Sequence, residues 1–168
     1  MKKYVFALLI LFQGTMLAFS QNKKAEEVLQ SPLKALTDQQ YTDIRQGNEM
    51  DMGKVAELNG YPSPLQVSKY EKELALNPNQ KIQLKKIIDA WKFKTKEMGQ
   101  FILKEETKLD NLFSSGKATD GSVIYFTNQL GLFTGELRNA HLQAHLKTRN
   151  ILTPAQIKKY NILMGYTK

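Results

Sequence analysis

The sequence predicts an all-α fold, a long antiparallel helical hairpin with short flanking helices, and three observations predict it. The pattern Leu-x-Pro-x-Gln occurs twice, as Leu76-Asn77-Pro78-Asn79-Gln80 and Leu152-Thr153-Pro154-Ala155-Gln156, and more loosely as Leu36-Thr37-Asp38-Gln39-Gln40. Apolar residues recur at spacings of four and three from Leu84 to Leu112, a heptad-like seam. Cysteine is absent from all 168 residues, so no disulfide framework, thiolate metal site or cysteine nucleophile exists and packing must hold the domain.

The chain starts with an export signal. Lys2 and Lys3 precede a short apolar core, residues 4–12, and Ala18-Phe19-Ser20 places cleavage before Gln21. That core is too short to span a bilayer, and no later apolar run is long enough, so residues 21–168 are expected outside the cytoplasm without stable membrane insertion. Residues 21–60 are polar and expected to form a mobile acidic arm, with a short helix from Thr37 to Gln46 closed by Gly47. The turn cluster Asn59-Gly60-Tyr61-Pro62-Ser63-Pro64 then leads into the hairpin domain, residues 61–168, where a first helix is expected from Leu65 to Leu76.

Asn77 can accept a hydrogen bond from the third helical amide, Pro78 sits where its missing N–H is harmless, and Gln80 can reach back to the cap. The helix so started should run to Phe113, where Ser114-Ser115-Gly116 stops it; about 36 residues at ~1.5 Å each give ~54 Å. Its seam is Leu84, Ile88, Trp91, Thr95, Met98, Ile102, Glu105, Leu109 and Leu112, with Gly99 as a weak point. A second long helix, from Asp120 to about Asn150, turns Val123, Phe126, Leu130, Phe133, Leu137, Ala140 and Ala144 toward that seam. Leu132, Leu142 and Leu146 fall on its far side, to be covered by the arm or the first helix, or to serve as a dimer seam or a client-binding patch. Thr153, Pro154 and Gln156 start the last helix, residues 154–163, with Leu152 and Ile157 as a hydrophobic staple, and it is expected to fold over the hairpin's open end.

Charge is unevenly placed. The chain has 24 basic and 16 acidic residues. Residues 21–60 hold 5 basic and 7 acidic groups, whereas residues 61–168 hold 17 and 9, a net +8 that suits acidic or unfolded chains, anionic lipid or the arm itself. Nucleic acid is an unsuitable partner, because the chain carries an export signal and its aromatics lie on apolar helix faces instead of alternating with basic residues.

The repeated motif, Glu57-Leu58-Asn59-Gly60-Tyr61-Pro62, the run Ala140-His141-Leu142-Gln143-Ala144-His145-Leu146, Tyr160 and Gly165-Tyr166 together resemble the LTxxQ-motif family, the Spy/CpxP-like periplasmic proteins related to heavy-metal resistance and sensor proteins. The resemblance implies a periplasmic, all-helical, often dimeric protein that acts as an ATP-independent chaperone, as a stress-signalling partner of a sensor protein, or as a metal sensor. It does not choose among the three. In the nickel/cobalt sensors of that family one ligand pair lies at i,i+4 on the last long helix and a His pair lies on the first helix. His141 and His145 match the former loosely, with His145 where the sensors have Met, and no other histidine exists to match the latter.

Read from the residues alone, His141 and His145 share one helix face at i,i+4, the spacing helical metal sites use. A divalent ion there, zinc, nickel, cobalt or copper, would need carboxylate, Met or water as further ligands. With the hairpin turning near Lys117, His141 is expected opposite Lys94 or Thr95, at the level of the turn cluster, which makes Glu57 the carboxylate partner by hydrogen bonding or in a shared metal site. Glu105 is set apart by ~16 Å along the axis. No G-x-S-x-G, H-E-x-x-H, P-loop or dinucleotide fingerprint occurs, so no enzyme is expected and no cofactor is required. The first functional expectation is a chaperone that steers acidic or unfolded clients with Lys92, Lys96, Arg138 and Arg149 and holds them on Leu132, Leu142 and Leu146. The second is a metal sensor or buffer using His141, His145 and Glu57.

Overall fold

The structure, a computed structural model, describes residues 27–166. The export signal and its cleavage before Gln21 lie outside the described residues. Six helices follow one another: α1 (Asp38–Gln46), α2 (Lys54–Glu57), α3 (Pro64–Lys69), α4 (Pro78–Ser114), α5 (Asp120–Ile151) and α6 (Pro154–Leu163). The two long helices pack antiparallel, and the short ones flank them. No described helix is long and apolar enough to cross a membrane.

Helix starts follow the capping chemistry read from the sequence. Thr37, Asn77 and Thr153 each accept from the amide three residues on, while Gln40, Gln80 and Gln156 accept from the cap N–H in return. Thr119 caps α5 in the same way through Ser122. Gly47 closes α1 at φ 69°.

The first hairpin-domain helix is shorter than expected. It ends at Lys69, and the chain continues to Leu76 in turns, with Ala75 at φ 50° and Leu76 N–H bonded to the Glu71 carbonyl at 3.0 Å. The reason is geometric. Leu74 and Leu76 are both buried, yet on an unbroken helix they would diverge by ~200°. The left-handed residue between them turns both inward, into a cluster with Val67, Leu84, Leu152 and Tyr160 at the hairpin's open end.

Residues 27–60, part of the stretch expected to be mobile, lie along the hairpin. Helix α1 crosses α4 at Gly99, where a Cβ would overlap the Ile44 carbonyl oxygen. Gly47 lies as closely on Thr95, and Gly53 on the His145 ring. Gly99 thus admits the arm's backbone and is no defect in α4. A second cluster forms under this crossing, from Met98, Ile102 and Leu137 with Ile44, Met50 and Met52 of the arm packed on it. Beyond it the hairpin is bare: Leu109, Leu112, Val123 and Phe126 are only half-buried.

Candidate functional site

The two copies of the sequence motif meet. Gln80 Nε2 donates to Gln156 Oε1 at 2.8 Å, and Gln156 Nε2 donates back to Gln80 Oε1 at 3.1 Å. Each amide has a second acceptor: Gln80 Nε2 reaches the Ile151 carbonyl at 2.8 Å, and Gln156 Nε2 reaches the Leu74 carbonyl at 3.1 Å. Since both Oε1 atoms also accept from their cap N–H groups, the two glutamines satisfy helix starts and each other at once. Leu76 and Leu152 lie in the cluster beside this clasp. The motif residues Leu76, Asn77, Pro78, Gln80, Leu152, Thr153, Pro154 and Gln156 therefore join the start of α4 to the start of α6 at the hairpin's open end as well as capping both helices.

Tyr160 extends the clasp to the arm. Its fully buried hydroxyl accepts from Ser63 N–H at 3.1 Å and donates to Glu57 Oε1 at 3.4 Å. Burial raises its pKa far above the ordinary phenol value and keeps the donor proton in place. Tyr166 donates to Glu57 Oε2 at 3.2 Å, and Lys54 lies 3.8 Å from the same oxygen. Glu57 is thus bonded to tyrosines of the C-terminal segment instead of to a histidine, and the ligand set His141, His145 and Glu57 is not assembled. Among the described residues no group of three or more His, Asp or Glu side chains is placed to hold a metal ion.

Both histidines are buried. Trp91 faces His141, about one helical turn from the Lys94 or Thr95 expected there, with Nε1–H donating to His141 Nδ1 at 3.2 Å and the rings edge to face. Indole nitrogen only donates, so the neutral His141 carries its proton on Nε2, an atom that is buried without a hydrogen-bond partner. Burial, and then the neighbouring His145, hold the His141 pKa down at about 4. His145 lies 2.9 Å from the Tyr61 carbonyl through Nδ1, which must therefore bear its proton. His145 thus fixes the turn cluster and, against Gly53, the arm to α5, while His141 ties α5 to α4.

The expected client surface is dispersed. Arg149 donates to the Gly60 carbonyl and lies 4.5 Å above the Tyr61 ring, so it braces the turn cluster. Lys92 and Lys96 border a cleft of about 530 Å³ with Gln46 and Glu49 of the arm and Leu65 of α3. Leu132 is 56% exposed, Leu146 is 41% exposed, and Leu142 is half-buried on the outer side of α5, where Arg138 is also exposed.

A different concavity lies between α4 and α5. This groove of about 420 Å³ has Ile87, Ala90, Ala140 and Ala144 along its apolar floor, with Trp91 among its lining, and none of its lining comes from residues 27–60. Lys86, Lys94 and Lys147 stand around it with Glu136 as the one acid. Lys94 pairs with Glu97 at 2.8 Å, whereas Lys86 and Lys147 form no ion pair among the described residues. Small side chains on facing helices leave the space, and lysines flank it. Heptad arithmetic missed the site because it assigns Ala140 and Ala144 to the seam and says nothing of the volume that alanine leaves open.

Neither the curated proteins nor the solved structures offer a significant match to the chain. Residues 65–164 match the family described as LTXXQ motif family protein, a span that holds both long helices and the whole clasp. The chain belongs to the LTXXQ motif family.

Proposed function

We propose that this protein is a periplasmic, ATP-independent chaperone or envelope-stress protein that holds unfolded, acidic segments in the groove between α4 and α5. The groove itself carries the proposal: an apolar floor of about 420 Å³ edged by lysines of which two are unpaired among the described residues. Apolar side chains of a client would lie on Ala90, Ala140 and Ala144, and its carboxylates would meet Lys86 and Lys147. Residues 61–168, at net +8, add a long-range attraction for such chains that salt weakens.

The test is light scattering from an aggregating, acidic model client at low salt with up to equimolar protein. Suppression is expected, and the double substitution Lys86→Glu with Lys147→Glu should weaken client binding at least about tenfold. Equal aggregation with and without the protein would sink the reading.

One observation favours a second reading, a metal-responsive protein: the buried, unpartnered Nε2 of His141. A metal would have to draw a lone pair from that nitrogen by displacing its proton, and take His145 and further ligands with it. Calorimetric titration with zinc and nickel decides this reading. Micromolar binding lost in His141→Ala would support it, and equal weak binding by both proteins would end it.

A further inference from the structure

One concavity of the molecule reverses the charge of the others. The groove between α4 and α5, the cleft at Lys92 and Lys96, and a hollow bordered by Arg149 and Lys158 all carry basic residues, as expected of a chain with 24 basic and 16 acidic residues. A fourth hollow, of about 480 Å³, lies where the arm crosses the hairpin, and its charged lining is Asp43, Asp51 and Glu106 without a base. Most of its remaining lining is apolar: Ile44, Met50 and Met52 from the arm, Ile102 from α4 and Leu137 from α5.

The three carboxylates have no countercharge. None of them forms an ion pair among the described residues, and Lys54, the base nearest Asp51 in sequence, pairs with Glu57 instead. Asp43 accepts from the neutral amides of Gln39 at 2.9 Å and Asn48 at 2.8 Å, which leave its charge uncompensated. Partial burial raises the Glu106 pKa, and no nearby cation offsets it.

We propose that this hollow binds a small lipophilic cation, an amine or quaternary ammonium with an alkyl or aryl body. Its body would lie on Met50, Met52 and Leu137, where unbranched thioethers adapt to different shapes, and its charge would meet the carboxylates. Size and charge both select this occupant. About 480 Å³ is the volume of a drug-sized site, and an acidic client would be repelled. A bare metal ion fits less well, because Asp43, Asp51 and Glu106 are not close enough together to form a ligand set. A cation that binds here must therefore bring apolar surface of its own.

Calorimetric titration with octylamine, charged at pH 7, against octanol, its neutral counterpart of equal chain length, tests the assignment. At net +8 the protein as a whole disfavours the amine, so a preference for it reports the hollow. Octylamine should bind one to one with a dissociation constant of about 100 μM, and octanol about tenfold more weakly. Glu106→Gln with Asp51→Asn should remove that preference while helical circular dichroism stays unchanged. Thr134→Trp, which places an indole at the hollow, should weaken both ligands about tenfold. No saturable binding of octylamine up to about 5 mM, octanol bound as tightly as the amine, or a preference that survives Glu106→Gln with Asp51→Asn would overturn the proposal.

Discussion

The two ends of one hairpin are built on different terms. At the open end every feature is tied to several others: Gln80 to Gln156, Tyr160 to Ser63 and Glu57, and His145 to Tyr61. At the closed end α4 and α5 meet without a third layer, and their seam residues Leu109, Leu112 and Phe126 are only half-buried. The heptad spacing runs through both ends. Heptad periodicity therefore establishes that two helices pair but not how firmly; firmness comes from what covers the pair, here the arm, α3 and α6.

The most direct way to break the comparison is Tyr160→Ala. Losing a fully buried ring and its hydroxyl bonds should lower unfolding free energy by ~3–5 kcal/mol in urea titrations, while Ile124→Ala at the other end should stay within ~0.5 kcal/mol. Similar effects at both ends would show that the clasp does not hold the fold.

Acidification tests the same end through His141. Unfolded, its imidazole takes up a proton near 6.5, but in the folded protein only at about 4. The unfolded state thus binds more protons between these values. Stability present above pH 6.5 should fall as the pH drops toward 4, by ~3 kcal/mol in all. Urea midpoints measured across that range should follow this slope, and His141→Gln should flatten it.

Gly131→Ala should give the smallest effect, with the opposite sign. Its Cβ would meet open space, so the fold should gain ~0.5–1 kcal/mol of stability, read by thermal unfolding.

Helix starts were the most legible part of the fold, because a cap is local chemistry: Thr37, Asn77 and Thr153 act as their sequences predict. The end of α3 was not legible, since it depends on Leu74 and Leu76 sharing a core that the distant Leu152 and Tyr160 complete. Arm docking was hidden for a related reason. Gly99 looks like a flaw in a helix until Ile44 is known to cross it. For the candidate site, the sequence singled out the histidines and Glu57 but not their partners, because hydrogen bonding to Trp91, Tyr61, Tyr160 and Tyr166 depends on how the turn cluster folds back. The lysines of the groove were lost among 24 basic residues, as charge counting carries no shape.

The clasp also orders events in time. The tip joins α4 to α5 through only residues 115–119, so pairing there closes a short loop, whereas Gln80 and Gln156 are 76 residues apart. Loop-closure entropy favours zipping from the tip toward the open end. The arm is made before its docking site at Gly99 exists and has to wait for it. A chain halted before α6 leaves Gln80 without its partner and strips Leu74, Leu76 and Leu84 of the cover that Tyr160 provides. Completion of the chain is thereby written into how much apolar surface the molecule exposes.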